Sequence, residues 1–118
     1  MHELTTTQYL LKTALQHAHK EHATHITSVH VVIGQLSGMV DKSVQYYWDI
    51  LAEGTIAEGA TIEFKHIPAS LRCAHCNTVY DLSDSFDFTC PACGQAGTII
   101  SGDEFLLESI DIDTDASV

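Results

Sequence analysis

Two short motifs, CAHC and CPAC, constrain this chain more than any other feature: Cys73 and Cys76 are three apart, Cys90 and Cys93 are three apart, and thirteen residues separate the pairs. A C-x-x-C turn lets two thiolates face one ion. Two such knuckles complete a tetrahedron, the arrangement zinc takes with four sulfurs. The spacer is slightly shorter than the roughly 15 to 20 residues of the common pattern, which does not prevent closure. Four protein ligands leave no position for water or substrate, so the site reads as structural rather than catalytic. Pro91 within the second knuckle and Gly94 behind it give the CPxCG form also found in iron-binding rubredoxins. Iron and a pair of redox-active dithiols therefore stay open beside zinc.

Between residues 70 and 101 the apolar side chains are few, chiefly Val79, Tyr80, Leu82, Phe86 and Phe88. Such a segment is too small to fold on its own core. Bound metal supplies the difference, on the order of 10 kcal/mol in small zinc peptides. His75, inside the first knuckle, reads as an exposed loop residue, with a group bonded to the ligands or a replacement ligand as the other options.

Four cysteines in two tight pairs, with no basic-then-apolar leader at the start, point to thiolate chemistry in the reducing cytosol rather than to disulfides. No segment approaches the roughly 18 consecutive apolar residues of a membrane span. The expected location is therefore cytoplasmic. Five Lys and Arg stand against sixteen Asp and Glu, a formal charge of −11. Six of those acids follow residue 102 with no base among them. A surface of that sign repels phosphate backbones, which argues against a nucleic-acid partner.

Around the cysteine segment the periodicities alternate. From Glu3 to His22, Leu4, Leu11, Leu15 and Ala18, widened by Leu10 and Ala14, recur with a helical period. ITSVHVVIG is a β-branched run ending at Gly34, with Val29, Val31 and Ile33 alternating with Ser28, His30 and Val32. Asp41 is placed to cap a second helix bearing Val44, Trp48 and Leu51 on one face, with Gly54 as its stop. TIEFKHI and EFLLESIDI read as further strands, the latter with Leu106, Ile110 and Ile112 alternating with Glu108 and Asp111, and residues 113 to 118 as a polar end. The expectation is an α+β fold in which two helices pack on a three-stranded sheet. A four-cysteine, zinc-ribbon-like module interrupts it, giving a domain of residues 1–69 and 102–118 and a zinc-binding domain of residues 70–101. A strand, helix, strand passage makes the first two strands parallel, either as neighbours or separated by a third.

With the cysteines assigned to scaffolding, His2 gains a second meaning. The terminal amine, the deprotonated His2 amide and the His2 imidazole can wrap one ion in fused chelate rings with one corner of a square plane vacant. That geometry suits nickel(II) and copper(II).

Taken together, the opening MHEL, the stretch GQLSGMVDKS, the passage GTIAEGATIEF and the paired knuckles resemble the HypA/HybF family of hydrogenase maturation factors, over essentially the whole chain to about residue 112. The resemblance implies a cytoplasmic nickel metallochaperone, not an enzyme, that works with a HypB-type GTPase to load nickel into the large subunit of [NiFe]-hydrogenase. It implies His2 as the nickel ligand, Glu3 in support, and Cys73, Cys76, Cys90 and Cys93 around structural zinc. An acidic residue matching Asp41 influences nickel in some members. Some members also flank each knuckle with a histidine and couple zinc ligation to acidity. Here only His75 is near, and Gly94 and Gln95 follow the second knuckle, so the pattern for that switch is incomplete.

His17, His19, His22 and His25 crowd the end of the first helix and read as a solvated cluster or a weak metal site. His30 and His66 lie in strands and read as structural. The rival functions are a zinc-ribbon module for nucleic acid or protein and a rubredoxin-like electron carrier. Arg72 is the one base between residues 70 and 102, which weakens the first. No HExxH is present to suggest a hydrolase. Oligomeric state, a homodimer included, is left open.

Overall fold

The apolar stripe of α1 (His2–Lys20) buries Leu10, Leu11, Ala14 and Ala18. These elements come from a computed structural model that describes residues 2–82 and 88–114, with His2 given by its backbone alone. Phe86 and residues 115–118, singled out above, lie outside the described residues. Thr7 completes the stripe although it is polar. It is fully buried, and its hydroxyl donates to the Glu3 carbonyl one turn earlier, so that hydroxyl is not left unpaired. The helix stops where His22 takes a left-handed φ of 58°, the position glycine usually fills.

After α1 comes β1 (Ala23–Gly34), which begins three residues before the ITSVHVVIG run. The expected cap of α2 (Asp41–Leu51) is corrected by the backbone. Val40, extended at φ −110° and ψ 124°, occupies the cap position and contributes no side-chain bond. Asp41 is the first helical residue, where its carboxylate meets the positive end of the helix dipole. Ala52 caps the other end, and Gly54, at φ 78°, forms the turn beyond it. Val44 and Trp48 are fully buried, and α2 packs against α1. The Gln45 amide ties α2 to the next strand, accepting from the Ile62 N–H at 2.9 Å.

A three-stranded sheet has the order β2-β1-β6, with β2 spanning Thr61–Ile67 and β6 spanning Phe105–Thr114. His30 faces Glu63, and the Gln35 N–H donates to the Ile67 carbonyl, so β1 and β2 run parallel as neighbours. Thr24 donates to the Asp113 carbonyl and Gly34 to that of Glu104, so β6 is antiparallel to β1. The expected alternation in β6 is corrected at Leu106, which is 48% exposed rather than sharing a face with Ile110 and Ile112. Phe105 and Leu107 are the half-buried residues there, and the buried phase slips by one position before Ile110 and Ile112.

By contacts the chain divides into two compact units, one of residues 1–32, 39–65 and 106–118, the other of residues 33–38 and 66–105. The second unit holds the cysteines and a sheet of order β4-β3-β5. Here β3 is Ser70–Cys73, β4 is Val79–Asp81 and β5 is Gly97–Ser101, both partners antiparallel to β3. Its buried apolar cluster is Ala69, Leu71 and Leu82, with Leu36 and Tyr80 packed against it. Two backbones cross closely in this unit. A Cβ built on Gly34 would lie 2.1 Å from the Gly102 carbonyl oxygen, which accepts from the Leu36 N–H at 2.6 Å.

Candidate metal centre

Both knuckles are built by the same backbone bonds. The Cys73 N–H donates to the Thr78 carbonyl at 2.9 Å and Asn77 donates back to the Cys73 carbonyl at 2.8 Å. In the second, Cys90 donates to Gln95 at 2.7 Å and Gly94 to Cys90 at 2.9 Å. Each turn needs one left-handed residue in the same place, Asn77 at φ 61° and Gly94 at φ 78°. Asparagine and glycine tolerate that conformation, which explains their position one residue behind each second cysteine.

These turns bring the four sulfurs within 4.8 Å of one another. Cys73 Sγ lies 3.3 Å from Cys93 Sγ, and Cys76 Sγ lies 3.7 Å from Cys90 Sγ. A zinc–sulfur bond of about 2.3 Å places tetrahedral sulfurs about 3.8 Å apart, so the donor set fits one ion. Cys73 and Cys90 are buried, whereas Cys76 is exposed and Cys93 intermediate. The Thr78 hydroxyl sits 3.0 Å from Cys76 Sγ. Hydrogen bonding from the Thr78 side chain and backbone brings the Cys76 thiol down to about 6, ahead of lesser effects from burial and the other cysteines. The Gln95 amide acts to lower Cys93, yet the neighbouring sulfur of Cys73 and burial outweigh it and push that thiol up to about 12. The four crowded sulfurs thus include two thiols pushed in opposite directions.

Thr78 could not be found from residue spacing, because its role depends on the turn that folds it back over Cys76. His75 is exposed, as expected. Among the described residues the cysteines are the only group of three or more metal-ligating side chains close enough to share an ion. The four helix-end histidines are not gathered into one. The expected nickel ligands stand at the start of α1: Glu3 lies in its first turn, while Met1 and the His2 side chain are outside the described residues. His30, read as structural, is half-exposed and pairs with Asp111 and Glu63 on the two flanking strands.

A small α+β fold with helices laid on strands and four cysteine sulfurs gathered for one ion defines a metal-binding protein. The chain belongs to the HypA family: the model described as hydrogenase/urease nickel incorporation, metallochaperone, hypA, matches residues 1–112. It is 44% identical to the hydrogenase maturation factor HypA of Caldanaerobacter subterraneus, over 96% of this chain and 100% of that protein. Identity to the protein of the same name from Dehalococcoides mccartyi is 41%, covering 98% of each. The solution structure of the Ni metallochaperone HypA from Helicobacter pylori matches with a TM-score of 0.67 over 96% of this chain and 98% of that one, at 22% identity, a likeness of fold. By family the protein is a metallochaperone of nickel incorporation in hydrogenase maturation, not an enzyme. No helix of the described residues is long and apolar enough to cross a membrane.

Proposed function

We propose that the chain carries Ni(II) at its N-terminus and keeps Zn(II) in the four-cysteine centre, so that cargo and scaffold ions occupy different sites. One observation supports the division: the sulfurs already make a complete tetrahedral set, and a filled tetrahedron offers no route for handing an ion on. Nickel would be wrapped by the terminal amine, the His2 amide and the His2 imidazole, with Glu3 at or near the remaining corner. Residues 1–69 and 102–118 would act as the nickel-binding part and residues 70–101 as the zinc-binding part. In the cytoplasm, where thiols stay reduced, a HypB-type GTPase would supply or gate the ion. The cysteine ligands of the [NiFe]-hydrogenase large subunit would then capture it, since soft thiolates draw nickel from nitrogen.

The test is metal analysis of the purified, untagged protein followed by nickel titration, beside His2→Ala. One zinc per chain should be present in both. Nickel affinity should fall at least tenfold in the variant, and hydrogenase maturation should fail at ordinary nickel. Equal affinity in the two proteins, or zinc displaced by nickel, would reject the assignment.

A further inference from the structure

The middle strand of the first unit's sheet carries an arrangement that the nickel-delivery reading does not use. His30 stands on β1 with one carboxylate on each neighbouring strand. Its Nε2 is 2.7 Å from Asp111 Oδ2 on β6, and its Nδ1 is 3.5 Å from Glu63 Oε2 on β2. The Ser28 hydroxyl donates to the same Asp111 oxygen at 2.5 Å and fixes that carboxylate. The ring is 32% exposed and Asp111 is 59% exposed, so a hydrated ion can reach both.

A neutral imidazole donates from one nitrogen only. Whichever tautomer forms, the other nitrogen points a lone pair at a carboxylate. With the proton on Nε2 the ring donates to Asp111 and the exposed Glu63 side is left to water; with the proton on Nδ1 two acceptors face each other across 2.7 Å, and a cation between them satisfies both. A proton can serve, converting the ring to imidazolium. So can a metal ion, and the far carboxylate favours it: an Nδ1–H turned toward Glu63, 3.5 Å away, leaves Nε2 free to ligate, and its closing onto that carboxylate would give the carboxylate–histidine–metal relationship that orients ligating imidazoles.

We infer that this sheet face is a second divalent-cation site, with His30 Nε2 and an Asp111 carboxylate oxygen as ligands and Glu63 holding the far side of the ring. Bonds of about 2.0 to 2.2 Å to nitrogen and oxygen set two adjacent ligands about 3 Å apart. The observed 2.7 Å therefore needs to open by only a few tenths of an ångström. Imidazole with carboxylate suits borderline ions of the nickel and zinc type, water filling the other positions. Glu108 adds negative potential but is partly offset by Lys65, 3.9 Å from it. Proton and metal compete for Nε2, so occupancy rises with pH.

The site does not depend on His2, and its test is run without it. Zinc-loaded, full-length His2→Ala protein is titrated with Ni(II) alone while amide resonances are followed by NMR. Nickel in a hydrated nitrogen–oxygen site is paramagnetic. Signals of Ser28, His30, Glu63 and Asp111 should broaden first, at submillimolar metal. Asp111→Asn should weaken the effect at least tenfold, Glu63→Gln a few-fold, and His30→Gln should remove it. If His30→Gln alters the fold, Asp111→Asn carries the comparison. No broadening at millimolar nickel, or broadening that persists unchanged in both His30→Gln and Asp111→Asn, would overturn the site.

Discussion

Cys73 and Cys93, twenty residues apart in the chain, hold their sulfurs 3.3 Å apart, although each belongs to a different turn. Nothing local keeps them together. Strand pairing sets Cys73 opposite Gly97, four residues past Cys93, but the buried apolar cluster behind it among the described residues is small, Ala69, Leu71 and Leu82, so a shared ion would supply much of what holds the two knuckles. Stripping zinc with a strong chelator, or replacing Cys90 by serine, should collapse the NMR dispersion of residues 66–105. The helical circular dichroism of α1 and α2 should persist. Full dispersion after metal removal would show that the unit folds without it.

Thr78 touches the exposed Cys76 sulfur with its hydroxyl. Removing a hydrogen bond to a metal-bound thiolate weakens the site without deleting a ligand. Thr78→Val should lower zinc affinity about tenfold, or about 1.4 kcal/mol, in competition with a chromogenic chelator. It should also raise the Cys76 thiol from its lowered value in the metal-free protein.

Extending the chain by Gly-Ser before Met1 keeps every native side chain but turns the terminal amine into a peptide nitrogen. Loss of one strong chelate arm should reduce nickel affinity at least tenfold, about 1.4 kcal/mol. The planar nickel spectrum should fade while zinc content is unchanged. An unaltered titration would mean the amine is not a ligand.

In the metal-free state His30 and Asp111 make a pH-dependent tie between β1 and β6. The Asp111 hydrogen bond raises His30 above its usual 6.5, so its contribution is whole below that pH and is lost as pH climbs through the raised value. Hydrogen bonds from Ser28, then His30, lower Asp111 beneath its usual 3.8, so its contribution is whole above that value and is lost on acidification. The tie is therefore strongest between about pH 4 and pH 6.5. An NMR titration of His30 should show the upward shift, and Asp111→Asn should return it toward the ordinary value.

Gly34 sits where a side chain has no room, its added Cβ falling 2.1 Å from the Gly102 oxygen. The atoms it would meet, Gly102 O and C and Asp103 N, are all backbone and cannot step aside. Gly34→Ala should destabilise the second unit by about 1–3 kcal/mol, read as a drop in its denaturation midpoint. An unchanged midpoint would show that the crossing can open.

Much of this architecture was legible in the residues. Period 3.6 in α1, the β-branched run of β1 and the spacing of the cysteines are local signals, and each element formed near its expected place. The cap of α2 misled because Asp41 suits both the cap and the first turn. Backbone dihedrals at Val40, not side-chain preference, decide between them. Leu106 misled because alternation assumes an unbroken pleat, and the phase of β6 slips along its length.

By itself the sequence determined the local chemistry on offer: four cysteines in two C-x-x-C turns, and a histidine at position 2. These follow from residue type and short spacing, which the chain carries wherever it folds. Only the tertiary structure decided that Thr78 covers Cys76, that Gly34 lies against Gly102, and that His30 stands between Glu63 and Asp111. Those neighbours come from strand pairing across tens of residues, and register is set by the packing of whole faces rather than by any one residue.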